Sequence, residues 1–207
     1  MTDAVDDDLP ADAAEPVEER LVEPGPPPVP PAKSRSTRNV VEWVAIVAGA
    51  LLVAVVVKTF LIQAFYIPSL SMFSTLDKGD RVLVNKVSYH LHDVHRGDIV
   101  VFKRPPNVAD TAIKDLIKRV VGLPGDQVAG HDGAVYVNGK RLTERYLDKG
   151  TVTSDFPTRT IPAHQIFVMG DNRGNSEDSR VFGPIREDLV VGRAFVRVWP
   201  VQDFDLF

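Results

Sequence analysis

Ser69 and Ser71, within Ile67-Pro68-Ser69-Leu70-Ser71-Met72-Phe73-Ser74-Thr75-Leu76, are the first residues of this chain whose types and spacing suit chemistry. Pro68 biases Ile67 towards extended backbone, and along an extended segment Ser69 and Ser71 share a face. Two hydroxyls side by side suit a nucleophile and a hydrogen-bond donor, although a polar linker with every serine solvated fits the same residues. A serine hydroxyl is a weak nucleophile at neutral pH and needs a base. The five histidines, at positions 90, 92, 95, 131 and 164, stand in no triad motif.

A different base is available in Ile117-Lys118-Arg119-Val120-Val121-Gly122-Leu123-Pro124-Gly125-Asp126, a basic pair in an apolar strand closed by a turn. Burial and the Arg119 charge both disfavour a lysine ammonium. Lowering its pKa from ~10.4 towards ~7–8 takes about 3–5 kcal/mol of differential interaction. A neutral Lys118 amine can then take a serine proton. The pair also reads as ordinary strand residues near solvent, and alternation turns at most one of the two inwards.

Two further groups stand out. Gly170-Asp171-Asn172-Arg173-Gly174-Asn175-Ser176-Glu177-Asp178-Ser179-Arg180 is a polar loop after an apolar strand. Solvated turns explain it, and so does a fixed network in which Asp171 or Asp178 pairs Arg180 while Ser176 orients an amine. His90, His92 and His95 with Asp93 have a spacing that could supply zinc ligands, but no His-Glu-x-x-His helix brings a separate general base.

These groups depend on the elements around them. Trp43 to Val57 is fifteen residues without a polar side chain, preceded by Lys33, Arg35 and Arg38. Taken as 40–62, the run makes about 34 Å of helix at ~1.5 Å per residue, enough to cross a bilayer with Glu42 and Lys58 at the interfaces. A core helix or a cleavable signal peptide has a similar pattern. The run starts deep in the chain and passes into the Ser71 stretch without a small-x-small exit, so an uncleaved anchor is expected. The basic flank places the preceding residues in the cytoplasm and the following ones outside.

Residues 1–31 hold nine Asp/Glu against Arg20 alone and half of the 16 prolines, too little apolar surface to fold. Residues 1–39 are therefore expected to form a disordered cytoplasmic tail. The net charge of −4 divides into −8 for residues 1–31 and +4 for the rest. No basic stripe interleaved with aromatics supports nucleic-acid binding. The absence of cysteine excludes disulfides, thiolate nucleophiles and cysteine metal sites.

Residues 63–207 predict strands at 81–87, 98–102, 117–121, 134–137, 166–169 and 191–199, with Asn138-Gly139 as a type I′ hairpin turn. The expected fold is mostly β: a single N-terminal transmembrane helix followed by an antiparallel β-sheet catalytic domain, folded over or sandwiched.

Four segments behind an anchor carry a resemblance. Ile67-Pro-Ser-Leu-Ser-Met72, Gly79-Asp-Arg-Val-Leu-Val84, Lys118-Arg-Val-Val-Gly-Leu-Pro-Gly-Asp126 and Gly170-Asp-Asn-Arg173 with Ser176, Asp178, Ser179 and Arg180 resemble the ordered motifs of bacterial type I signal peptidases. The resemblance runs from about Val40 to the carboxyl end. It implies a serine–lysine protease with Ser71 as nucleophile and Lys118 as general base. The Ser69 hydroxyl and the Ser71 N–H would face the oxyanion, and Ser176 would hold the lysine amine. Met72 maps beside the nucleophile, and Asp171, Arg173, Asp178 and Arg180 onto the supporting network. Leu70 and Ser74 depart from the family's usual residues, which loosens the turn and not the chemistry. The span from Gln127 to Gln165 is too short for the extra β domain of some members.

The implied substrates are signal peptides of secreted preproteins, cut after small-x-small sites at the outer face of the cytoplasmic membrane. The implied partners are the phospholipid membrane and the protein export machinery, with no nucleic acid and no cofactor. The rivals are a metal hydrolase built on His90, His92 and His95, and an anchored β domain that binds a partner without catalysis.

Overall fold

Strands buried on both faces read as apolar runs, as Ile99–Lys103 and Gln165–Met169 do, and Asp115–Gly122 between them is equally buried but carries Lys118 and Arg119 in its middle. The computed structural model describes Gly25 and residues 35–108 and 113–207. Of the disordered tail expected at 1–39, residues 1–34 lie outside the described residues, Gly25 apart, and residues 35–39 are helical, because the helix that carries the apolar run begins at Arg35. By contacts the chain divides after Val44, and the site described below belongs wholly to residues 45–207.

Helix α1 spans Arg35–Val56, and its Asn39–Val56 stretch has a mean hydropathy of 2.2 with no residue buried. One π-helical turn, Val57–Leu61, follows it. Ile62, expected at the end of the span, is instead the first residue of strand β1, Ile62–Tyr66. The apolar run continues smoothly across this junction, but β1 pairs antiparallel with β2, Arg81–Asn85, which sets its conformation.

The remaining elements are α2 (Ser88–Leu91), β3 (Ile99–Lys103), β4 (Asp115–Gly122), β5 (Gln127–His131), β6 (Ala134–Val137), β7 (Lys140–Arg141), β8 (Phe156–Thr160), β9 (Gln165–Met169), α3 (Ser179–Phe182), β10 (Ile185–Arg186), β11 (Val190–Trp199) and β12 (Asp205–Leu206). The main sheet is ordered β1-β2-β11-β3-β4-β9-β10, with β12 on β11. A second sheet is ordered β7-β6-β5-β8, and every pairing in both is antiparallel. The fold is thus mostly β, as expected.

Side chains of alternate parity on β3 and β9 feed different core clusters. Ile99 and Val101 pack with Ile67, Met72 and Leu76, while Val100 and Phe102 pack with Val120, Ile166 and Val168. The second sheet occupies residues 127–160, where no room for a further β domain was expected. It has no separate core: Val128, Val135 and Val137 pack on Val121, Phe167 and Met169 of the main sheet. Its β6–β7 hairpin turns at Asn138 (φ 52°) and Gly139 (φ 77°), the paired positive angles of the expected type I′ turn.

Candidate active site

The segment carrying Ser71 is held from below and from the side. Ile67, Met72 and Leu76 are buried in the core, and Ile67 exchanges backbone hydrogen bonds with Asp80 and Gly79, each 2.9 Å. Beyond Pro68 the expected extended course gives way to turns over 71–75, closed by Leu76 N–H donating to Met72 O at 2.8 Å. From the side, Asn172 donates its N–H to Ser71 O (3.1 Å) and its Nδ2 to Leu70 O (3.0 Å). Ser71 is left half-buried, with Ser69 Oγ donating to its Oγ across 3.3 Å.

Lys118 comes from β4, 47 residues away, and donates from Nζ to Ser71 Oγ at 2.7 Å and to Ile117 O at 2.9 Å. The expectation that at most one of Lys118 and Arg119 points inwards is corrected: they are 3% and 7% exposed. Alternation spares one of a pair only when one face of a strand meets solvent, and β4 is an inner strand covered on both. Burial pushes the Lys118 amine down from 10.5 to about 8, against the pull of Asp178, Asp171 and Glu177.

Two arginine–carboxylate pairs fix the walls. Arg119 grips Asp171 through Nε to Oδ1 (2.9 Å) and Nη2 to Oδ2 (2.7 Å), and Thr75 Oγ1 donates to the same carboxylate at 2.6 Å. This replaces the Asp171–Arg180 pairing held open from sequence. Arg180 instead pairs with Asp178, Nε to Oδ1 and Nη2 to Oδ2, both 2.8 Å. Burial favours the neutral acid at Asp178, but the Arg180 hydrogen bonds and charge and the Gly170 N–H together hold its carboxyl below the ordinary range.

Gly170 lies where a Cβ would collide with Ser71 O and Ser176 Oγ, so only glycine allows the two loops to meet. Ser176 Oγ is buried near the Asp178 carboxylate but makes no full hydrogen bond among the described residues. Arg173 is buried and bonds Gly170 O (3.1 Å), Thr153 Oγ1 (2.9 Å) and Glu144 Oε2 (2.8 Å).

Ser69, Ser71 and Lys118 line a cleft of about 310 Å³ with Val108, Leu116 and Phe182. A serine hydroxyl against a desolvated amine, open to a partly apolar cleft, has the parts for attack on a carbonyl. His90 and His92 line a separate cavity of about 290 Å³. Among the described residues no three potential ligands converge there to hold a metal.

Sequence reasoning missed Thr75, Asn172, Glu144 and Tyr146. The first two sit inside recognised segments as unremarkable polar residues. Glu144 and Tyr146 lie in a connection that carried no signal.

The family model described as signal peptidase, peptidase S26 matches residues 40–199, and the chain belongs to this family of hydrolases. Its activity is that of a signal peptidase I, as the four segments implied. A probable signal peptidase I-2 of Synechocystis sp. is 44% identical over 153 residues, 73% of this chain and 70% of the relative. A signal peptidase I of Leptolyngbya laminosa is 37% identical over 185 residues, 85% and 89% of the two chains. A signal peptidase IB of Staphylococcus aureus is 36% identical over 184 residues, 81% and 93%.

Proposed function

We propose that this chain is a membrane-anchored serine endopeptidase that removes signal peptides from secreted preproteins at small-x-small sites, with Ser71 as nucleophile and Lys118 as general base. The observation that carries this is the Lys118 amine, buried and 2.7 Å from Ser71 Oγ.

Neutral Lys118 takes the Ser71 proton as Oγ attacks the scissile carbonyl. The oxyanion accepts hydrogen bonds from Ser71 N–H and, after rotation about χ1, the Ser69 hydroxyl; one such donor is worth about 3–4 kcal/mol. Collapse breaks the C–N bond, and the Lys118 ammonium returns its proton to the departing amine. The same lysine then deprotonates the water that attacks the acyl-enzyme, and Ser71 recovers its proton when the ester bond breaks. Ser176 does not bond the lysine amine in the resting arrangement, in which Lys118 donates to Ser71 Oγ and Ile117 O, and its unfilled hydroxyl takes the amine up once Lys118 leaves Ser71 Oγ. Asp171, Arg173, Asp178 and Arg180 keep the facing loop in place.

Among the described residues β4 pairs β3 along Asp115–Arg119 but meets β9 only from Arg119 onwards. The other edge of 115–118 is open beside the cleft, and a substrate segment adds there as a strand. Val108, Leu116 and Phe182 line the cleft and suit small apolar side chains.

The exposed apolar helix α1 is the anchor, with Arg35 and Arg38 on its cytoplasmic side. The cytoplasmic tail, residues 1–39, includes the first residues of α1 ahead of the apolar stretch, and the catalytic domain beyond the span lies outside, near the export machinery. Exposed Tyr66, Phe73, Trp199 and Phe204 can rest on lipid. Anchoring raises the effective concentration of Ser71 at the surface where preproteins emerge.

Mass-spectrometric mapping of a preprotein cut by the detergent-solubilised chain tests the proposal. One cut directly after the second small residue is expected, lost when that residue is made bulky. Intact substrate in the presence of folded protein overturns it.

A further inference from the structure

We propose that Glu144 and Tyr146, in the connection between β7 and β8, are positioning residues for catalysis: they clamp the two arginines that fix the Ser71 turn and the strand of Lys118. The proposal rests on the roles given to Ser71 and Lys118 above.

Arg119 lies over the face of the Tyr146 ring, with the guanidinium carbon 3.9 Å from the ring centroid. Arg119 follows Lys118 on β4, and its other contacts are the Asp171 carboxylate, Gly97 O (2.9 Å) and Thr75 Oγ1 (3.3 Å). Thr75 belongs to the Ser71 turn. A shift of this guanidinium therefore moves both reacting residues relative to each other.

Glu144 holds the second arginine. The Arg173 side chain is 0% exposed, and among the described residues Glu144 is its one ion-pair partner. Arg173 Nε in turn donates to Gly170 O, and Gly170 is the residue packed against Ser71 O. Without the Glu144 carboxylate a buried cation beside Gly170 has to find another acceptor, and Asp171 is the nearby candidate whose charge it already feels.

The Tyr146 hydroxyl joins the two halves by donating to Glu144 Oε1 at 2.5 Å. Burial, and then the Glu144 charge, push the Tyr146 phenol up, so it remains a donor through the pH range in which Lys118 titrates. Cation–π stacking and charge-assisted hydrogen bonds are directional, which suits them to fixing a geometry.

Neither residue lines the cleft. Their loss should therefore lower kcat and leave KM alone, whereas general loosening of the domain would raise KM as well. Steady-state cleavage of a small-x-small preprotein by the full detergent-solubilised chain, normalised to folded protein by thermal melting, separates the two.

Tyr146→Leu is expected to lower kcat about tenfold with KM within about twofold, since misplacements well under an ångström are felt in the rate. Tyr146→Phe keeps the ring over Arg119 and should retain at least about a third of kcat. Glu144→Gln, nearly isosteric, should lower kcat about tenfold, again at constant KM. Wild-type kcat in folded Tyr146→Leu and Glu144→Gln, or a KM rise that matches the loss, overturns the proposal. If Tyr146→Leu does not fold, Glu144→Gln decides alone; if neither folds, the pair is structural and the proposal falls. Wild-type and Ser71→Ala controls keep the two levels apart: a folded wild type that does not cut, or a Ser71→Ala that does, removes the catalytic assignment whatever the clamp variants do.

Discussion

Burial brings the Lys118 amine down to about 8, which gives the pH dependence of cleavage its sign and an expected midpoint. Only the neutral amine accepts the Ser71 proton. kcat/KM should rise about tenfold per pH unit up to about pH 8 and level off above it, so that about a tenth of the enzyme is active at pH 7 and about nine-tenths at pH 9. Stability carries the matching signature. A lysine whose folded pKa lies below its unfolded value costs stability wherever both states are protonated. Here the cost is about 3 kcal/mol below pH 8, relieved as pH rises from about 8 to about 10.5. Lys118→Met removes that cost, less the hydrogen bonds to Ser71 and Ile117 O, and should stabilise the domain at pH 7 by about 1–3 kcal/mol while abolishing cleavage. Initial rates at low substrate across about pH 6 to 10.5, with denaturation midpoints on the same samples, measure both. An acid limb near 10.5, or a Lys118→Met variant less stable than wild type at pH 7, would refute the reasoning.

Other outcomes follow from the same geometry. Glu177 raises the Lys118 pKa, so Glu177→Gln should move the acid limb of kcat/KM to lower pH; a shift upwards contradicts the assignment of that influence. Asp171→Ala leaves the Arg119 guanidinium buried without its carboxylate, and thermal or urea denaturation should show a loss of about 3–5 kcal/mol together with lost cleavage. Gly170→Ala drives a Cβ into Ser71 O and Ser176 Oγ and should abolish cleavage even in protein that still melts cooperatively. Gly139→Ala, strained at φ 77° but remote from the cleft, should cost about 1 kcal/mol in melting experiments and leave kcat unchanged.

Strands β2, β3, β6 and β9 were legible as short apolar runs bounded by turn residues, β4 as such a run around its basic pair, and β11 by the alternation of Ala194, Val196 and Val198 with Arg193, Phe195 and Arg197. β5 and β8 were not, because Gly130 interrupts one and Pro157 the other. Pro157 is tolerated since β8 is an edge strand of the second sheet. β1 was absorbed into the span, as Ile62-Gln-Ala-Phe-Tyr66 continues the apolar run and only its pairing with β2 reveals a strand. At the site, the chemistry of Ser71 and Lys118 pointed to them across 47 residues. The partner of Asp171 did not show, because a loop aspartate near Arg180 in sequence meets Arg119 only after β4 and β9 pair. Glu144 and Tyr146 were invisible for a similar reason. They reach the site from a second sheet whose packing against Phe167 and Met169 no local pattern encodes.

The dyad is tested most directly by cleavage of a small-x-small preprotein with purified wild type, Ser71→Ala and Lys118→Met, each checked for folding and each assayed with and without a chelator. Loss of cleavage in both folded variants, with wild type indifferent to the chelator, is the predicted result. Cleavage that persists in either folded variant, or that the chelator alone removes, would contradict it.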